Sequence, residues 1–196
     1  MLRCMEKFNP GVMFIQESNC RIKRLVRING YIVFEKIRPK GRGGGLLTAV
    51  HSNLDPVVLE IRENIQTVLV VEAKVGNLKT RFINAYGPQE EESGGDKGKV
   101  DDFYLYMDLV IKDAKSASKV VCIQMDANAK LGRAIVPGDP KEQSKNGEKL
   151  LAVIEENGLV VVNALDLCSG VITRSRETVR SKEESVLDYF IVCEGF

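Results

Sequence analysis

Val121-Cys122-Ile123-Gln124-Met125-Asp126-Ala127-Asn128-Ala129 runs an apolar, β-branched strand straight into Asp-x-Asn. In extended backbone the side chains at i and i+2 point the same way. Asp126 and Asn128 thus bring one carboxylate and one amide to one point, a pair able to activate water and to bind an anion. An Asx-type turn would use the same residues. Upstream, short apolar runs at residues 12–16, 31–37, 45–50, 57–61, 67–75 and 80–86 read as strands. Asn29-Gly30 fits a tight turn before the second run, and Gly76-Asn77 a hairpin turn between the last two. The period then changes: Val100, Phe103, Met107, Val110, Ile111 and Ala114 share one helical face. After the strand at 120–125, a second helix is predicted over 146–156, with Leu150, Leu151 and Ile154 inward and Asn157-Gly158 as its C-terminal cap. Residues 159–162 and 186–193 complete the strands. Many strands before the first helix, then alternation, indicate an α/β protein with large mixed sheets.

Three more strand ends carry polar groups, where a rigid sheet presents chemistry. Glu17 follows Met13-Phe14-Ile15-Gln16 directly. Its carboxylate suits magnesium, which prefers hard oxygen donors; an exposed loop acid would look the same. In Phe82-Ile83-Asn84-Ala85-Tyr86-Gly87-Pro88-Gln89, Gly-Pro ends the strand. Tyr86 is a candidate to hydrogen-bond a phosphate and Gln89 to hold a substrate backbone, although a tyrosine there also serves packing. Asp188 interrupts the apolar run Val186-Leu187-Asp188-Tyr189-Phe190-Ile191. A buried unpaired carboxylate is costly, so a partner is expected, and a structural salt bridge would supply one.

Composition narrows the classes. The chain has 196 residues, 44% of them hydrophobic, enough for one sizeable core. Residues 1–196 are therefore expected to form a single domain. No window approaches the roughly 18 uninterrupted apolar residues of a membrane span, and the start lacks the apolar run of a signal peptide. An intracellular location without membrane association is expected. The five cysteines show no zinc-ligand spacing and are read as reduced. Net charge is +1, but between Arg21 and Arg42 eight basic residues face a single acid, Glu35. Such a face suits phosphates; a solvated surface would have the same composition.

Taken in order, these motifs resemble the endonuclease/exonuclease/phosphatase family. Ile15-Gln16-Glu17-Ser18 looks like its "LQET" metal motif, and Gly43-Gly44-Gly45-Leu46-Leu47 like its "GGVAI" strand. Asn84-Ala85-Tyr86-Gly87-Pro88-Gln89 resembles "NxYxPN", Gln124-Met125-Asp126-Ala127-Asn128-Ala129 resembles "GDFNA", and Val186-Leu187-Asp188-Tyr189-Phe190-Ile191 resembles "SRIDYIL". The passage from Asn146-Gly147 to Asn163 is similar to "NGxxLLxFxxxxxLxxxNT" of non-LTR retrotransposon endonucleases, and Thr173, Arg174 and Arg176 fall where a "TW" or "TR" loop follows it.

The resemblance implies a four-layered α/β sandwich, two packed mixed sheets flanked by helices. It implies a magnesium- or manganese-dependent phosphodiester hydrolase that nicks DNA, of retrotransposon origin and nuclear, with a reverse transcriptase domain in a longer natural chain. Glu17 would bind the metal and Tyr86 would contact the scissile phosphate. Asp126 would orient or deprotonate water, with Asn128 placing it, and Asp188 would orient a histidine. Gln89, Arg42, Arg174 and Arg176 would hold nucleic acid. The pattern departs from the family in three ways. The first strand with its Asn-x-Asn-Gly-like motif and the last strand with its "SDH" histidine are expected to be missing, so the domain is read as incomplete. His51, the sole histidine, lies too early to substitute. Met125 stands where the family has glycine. A non-catalytic remnant that binds nucleic acid or a protein is therefore the alternative, with a phosphatase or lipid phosphodiesterase of the same superfamily as a third reading.

Overall fold

A computed structural model of the chain describes residues 2–19, 26–37, 44–59, 65–90, 96–169, 171–177 and 182–194. The predicted strands form where the apolar alternation placed them: β1 (Val12–Ile15), β2 (Tyr31–Lys36), β3 (Leu46–His51), β4 (Val57–Leu59), β5 (Val68–Val75), β6 (Leu78–Tyr86) and β7 (Val120–Asp126). β8 (Leu159–Val161) and β11 (Asp188–Cys193) follow. Asn29-Gly30 turns the chain into β2, with the Tyr31 amide donating to the Ile28 carbonyl at 3.0 Å and Gly30 at φ 80°.

Strands β1, β3 and β2 form one sheet, in the spatial order β1-β3-β2. A larger sheet runs β4-β5-β6-β7-β11-β8. In it only the neighbours β6 and β7 are parallel, because α2 (Lys97–Ser116) carries the chain between them. The smaller sheet is wholly antiparallel rather than mixed. Among the described residues between these strands there is no helix to make a parallel crossover.

Side-chain alternation sorts the layers. Leu46 and Val50 of β3 meet Leu69, Val71, Phe82, Cys122 and Val192 between the two sheets. Leu47 and Ala49, of opposite parity, pack with Met5 of α1 (Leu2–Phe8). On the far side Ile83, Ile123 and Ile191 pack against α2 and α3 (Lys145–Glu156). The order is helix, small sheet, large sheet, helices, an α/β sandwich of four layers. In α2 every predicted inward residue is buried. In α3 Leu150, Val153 and Ile154 are buried, while Leu151, expected inward, is only half-buried. Ser144 caps α3 by accepting from the Gly147 amide at 3.2 Å. Gly158, at φ 55°, follows its last turn.

Two elements depart from the sequence reading. The helix α1 was not predicted. Arg174 and Arg176, placed in a loop, lie in a strand: β9 (Arg174–Glu177) pairs with β10 (Lys182–Ser185). This ribbon shows no apolar alternation, being exposed along all of β9. A lone two-stranded hairpin is only marginally stable in water, and this one is tied at its base by the Thr173 amide donating to the Ser185 carbonyl at 3.2 Å.

Candidate active site

Three strand ends of the larger sheet lie side by side. Tyr86 on β6 is in register with Asp126 on β7, and Asp126 with Asp188 on β11. Their parity is that of Phe82, Cys122 and Val192, so all three side chains stand on the face towards the smaller sheet. Asp188 is the first residue of β11, not an interruption within it. From the smaller sheet, β1 delivers Glu17, whose carboxylate accepts from the Tyr86 hydroxyl at 2.9 Å. The turn that presents Glu17 is left-handed, at φ 49°, and is fixed by the Ser18 amide on Gly45 and the Asn19 amide on Gly44.

The loop after β7 is shaped to bring Asn128 back to the row. Its backbone amide donates to the Asp126 carboxylate at 3.2 Å and its side-chain amide to the Gly87 carbonyl at 2.9 Å. The Gly87 amide in turn donates to the Asp126 carbonyl at 2.7 Å. A Cβ on Gly87 would lie 2.1 Å from the Ala127 carbonyl oxygen, so this approach requires glycine. The Asx-type contact thus occurs, whereas Asn128, beyond β7 and at φ 46°, does not continue the extended backbone and turns its side-chain amide to the Gly87 carbonyl.

Burial pushes the Asp126 carboxyl up to about 6, with the charges of Asp188 and Glu17 adding and Arg174 opposing. Burial likewise raises Asp188, against the Thr173 hydroxyl. That hydroxyl also accepts from the Leu187 and Asp188 amides at 2.9 and 3.1 Å. Asp188 has no ion pair among the described residues, so a structural salt bridge is not its partner there. Burial raises the Tyr86 phenol; a hydrogen bond with Asn128 opposes this, and Glu17 and Asp126 reinforce it.

Beside the row lies an open groove of about 220 Å³, lined by Gln89, Glu90, Asn128, Lys130, Arg174 and Leu187. Gln89, Asn128 and Arg174, proposed from sequence, therefore share one surface. Arg176 sits two residues farther along β9, opposite Glu183. Arg42 lies outside the described residues, as do Arg21, Lys23, Arg24, Arg38 and Lys40. His51 is at the opposite end of β3 from Leu46, with its amide on Gly11 and its Nδ1 2.7 Å from Asn53.

Sequence reasoning passed over several supporting residues. Asn84, fully buried, accepts from Gln16 at 2.8 Å across the two sheets. Asn163 donates to the Asp188 carbonyl and accepts from the Phe190 amide at 2.7 Å. Asn146 donates to the Pro88 carbonyl at 3.0 Å. An asparagine inside an apolar strand was the available signal for Asn84.

No three His, Cys, Asp or Glu side chains among the described residues group closely enough to be a metal cluster. The donors at the row are nonetheless all oxygen, and the carboxylates of Asp188 and Glu17 both bear on Asp126. This excess of negative charge fits a hard divalent cation better than a soft one.

No protein-family model and no curated protein matches the sequence. Solved structures do. The endonuclease domain of TRAS1, a telomere-specific non-LTR retrotransposon, superposes with a TM-score of 0.71 at 18% identity, over 98% of this chain and 78% of that one. The AP endonuclease of Leishmania major gives 0.71 at 15% identity, over 98% and 73%. An endonuclease/exonuclease/phosphatase family protein from Leptotrichia buccalis gives 0.64 at 13% identity, over 97% and 78%. At these identities the likeness shows the fold, and the fold is the one that these proteins share.

Proposed function

From a chain with the endonuclease/exonuclease/phosphatase fold, we infer a divalent-metal-dependent phosphodiester hydrolase that nicks DNA, of non-LTR retrotransposon type. The observation that carries this reading is the row Tyr86, Asp126, Asp188 with Glu17 reaching Tyr86 from the other sheet. The retrotransposon assignment rests on the likeness of residues 146–176 to that group's passage and on the TRAS1 neighbour. It carries with it a nuclear location and a reverse transcriptase domain in a longer natural chain.

Glu17 would hold magnesium or manganese. When bound, such an ion neutralises charge on the phosphoryl and leaving oxygens. The chain's own groups do the rest. Asp126, with its carboxyl near 6, is suited to take a proton from water near neutral pH. Asn128 anchors the loop that places this water. The Tyr86 hydroxyl, now on Glu17, would turn its proton to a phosphate oxygen. Gln89 and Arg174 line the groove along which a nucleic-acid backbone would run, with Arg176 next on the ribbon and Arg42 on the basic segment.

A second reading is favoured by one feature. Asp188 would orient an imidazole in the family, and the only histidine of this sequence is at the far end of β3. The 196-residue chain would then bind nucleic acid with little cleavage. A plasmid-nicking assay with magnesium separates the two. Slow nicking abolished by Asp126→Ala and by Glu17→Ala supports the hydrolase. Equal inertness of wild type and both variants, with DNA still bound, supports the binding module.

A further inference from the structure

The acids of the site belong to two different sheets, so something must fix one sheet against the other at that end. We propose that Asn84 and Gln16 are positioning residues, a buried polar clasp that holds Glu17 against Tyr86. The inference rests on the row being a functional site.

Asn84 is 0% exposed and points into an otherwise apolar interface. Its side-chain amide donates to the Leu47 carbonyl at 3.0 Å and the Thr48 hydroxyl at 3.1 Å, with the Ile15 carbonyl at 3.4 Å. Ile15 and Leu47 are cross-strand partners on β1 and β3, so a single side chain of the large sheet grips both strands of the small one. Its oxygen accepts from Gln16, whose amide also reaches the Gln124 carbonyl on β7 at 3.4 Å. Gln16 precedes Glu17, and Asn84 precedes Tyr86 by two on the same face of β6. Every polar atom of Asn84 is thereby used. Apolar packing resists separation of two sheets but is non-directional; oriented hydrogen bonds fix their register. Partners of this kind govern how well a ligand group is aimed at its metal.

The test compares Asn84→Leu and Gln16→Leu with Val71→Ala, a buried residue of the same interface that makes no part of the clasp. Nuclear Overhauser contacts between the Glu17 side chain and the Tyr86 ring are measured together with Tm and the Kd for Mn2+. Both clasp variants should lose the Glu17–Tyr86 contacts and weaken Mn2+ about tenfold. Val71→Ala should lower Tm and leave both other readouts unchanged. Gln16 is only half-buried, so Gln16→Leu carries the test alone where Asn84→Leu does not fold. Retention of the contacts in Gln16→Leu overturns the proposal, as does their absence from wild type. Should wild type show the contacts but bind no Mn2+, the metal reading fails while the contacts alone decide the clasp.

Discussion

Asp126 and Asp188 are direct cross-strand partners, two carboxylates on neighbouring antiparallel strands. Like charges placed so destabilise a sheet by about 0.2–1 kcal/mol. Asp188→Asn should therefore stabilise the fold by about that amount and lower the Asp126 carboxyl from its value near 6. The folded carboxyl keeps its proton up to about 6, against an ordinary value of 3.8. Its contribution to stability is thus full below 3.8 and is lost as pH rises through 6. Carbon-13 titration of the metal-free chain checks the shift, and denaturation across that window checks the slope. An Asp126 value unmoved by Asp188→Asn would break the link.

In the role proposed for it Asp188 orients an imidazole, and among the described residues no imidazole meets it. Extending the chain by a strand bearing Ser-Asp-His should raise magnesium-dependent nicking by about 10²–10³-fold. Mutating the added histidine to alanine should return it to baseline. Fast, Asp126-dependent nicking without the extension would show that no imidazole is needed.

DNA affinity should fall steeply with salt, since each neutralised phosphate releases counterions. Arg174→Ala and Arg176→Ala should each reduce the slope of log K against log salt by about 1. Fluorescence anisotropy with a labelled duplex, read from low to moderate salt, measures this. A flat salt profile would count against a phosphate-binding groove.

At the other end of β6, away from the site, Arg81 is 2% exposed and bonds Glu72 at 2.6 Å and Asp113 at 2.7 Å. Lys119 also bonds Glu72 at 2.6 Å. Arg81→Ala leaves the Val110 carbonyl without this donor, while Lys119 still pairs Glu72 and Asp113 is largely exposed, so it should cost about 1–3 kcal/mol in urea unfolding. Burial works against ionisation of Glu72, but Lys119 and Arg81 outweigh it and hold the carboxyl below its ordinary 4.5. That contribution is present above 4.5 and lost as pH falls through the lower folded value, the reverse of Asp126. Glu72→Gln should flatten this acid limb.

Glu17 occupies left-handed backbone, which costs a non-glycine residue about 1–3 kcal/mol. Glu17→Gly should raise stability relative to Glu17→Ala while both lose the Tyr86 contact. Equal Tm for the two variants would mean that the turn is not strained.

Much of this architecture was legible because apolar period and strand ends are local. The strands from β1 to β8 and β11, and the inner face of α2, follow from β-branched runs and from Val100, Phe103, Met107 and Ala114. The polar ends Glu17, Tyr86, Asp126 and Asp188 were visible for the same reason, and the structure brings them to one end of the fold. What they do there is a matter for the assays above. Helix α1 was illegible because seven residues give too short a period, with Met5 as their described buried residue. The β9–β10 ribbon was illegible because Arg174-Ser175-Arg176-Glu177 has no apolar face to alternate. The Asn84–Gln16 bond joins residues 68 apart across two sheets, and no local pattern encodes it.

Division of the row between two sheets governs when it exists during folding. Glu17 and Tyr86 are separated by 69 positions, so their meeting awaits closure of a long loop. A nascent chain that has built only the large sheet holds Tyr86, Asp126 and Asp188 but not Glu17. Conversely, a fluctuation that lifts β1 away parts Glu17 from Tyr86 while leaving most hydrogen-bonded structure intact. The Glu17–Tyr86 contact then reports completed tertiary assembly, and in mild denaturant it should vanish ahead of the far-ultraviolet dichroism.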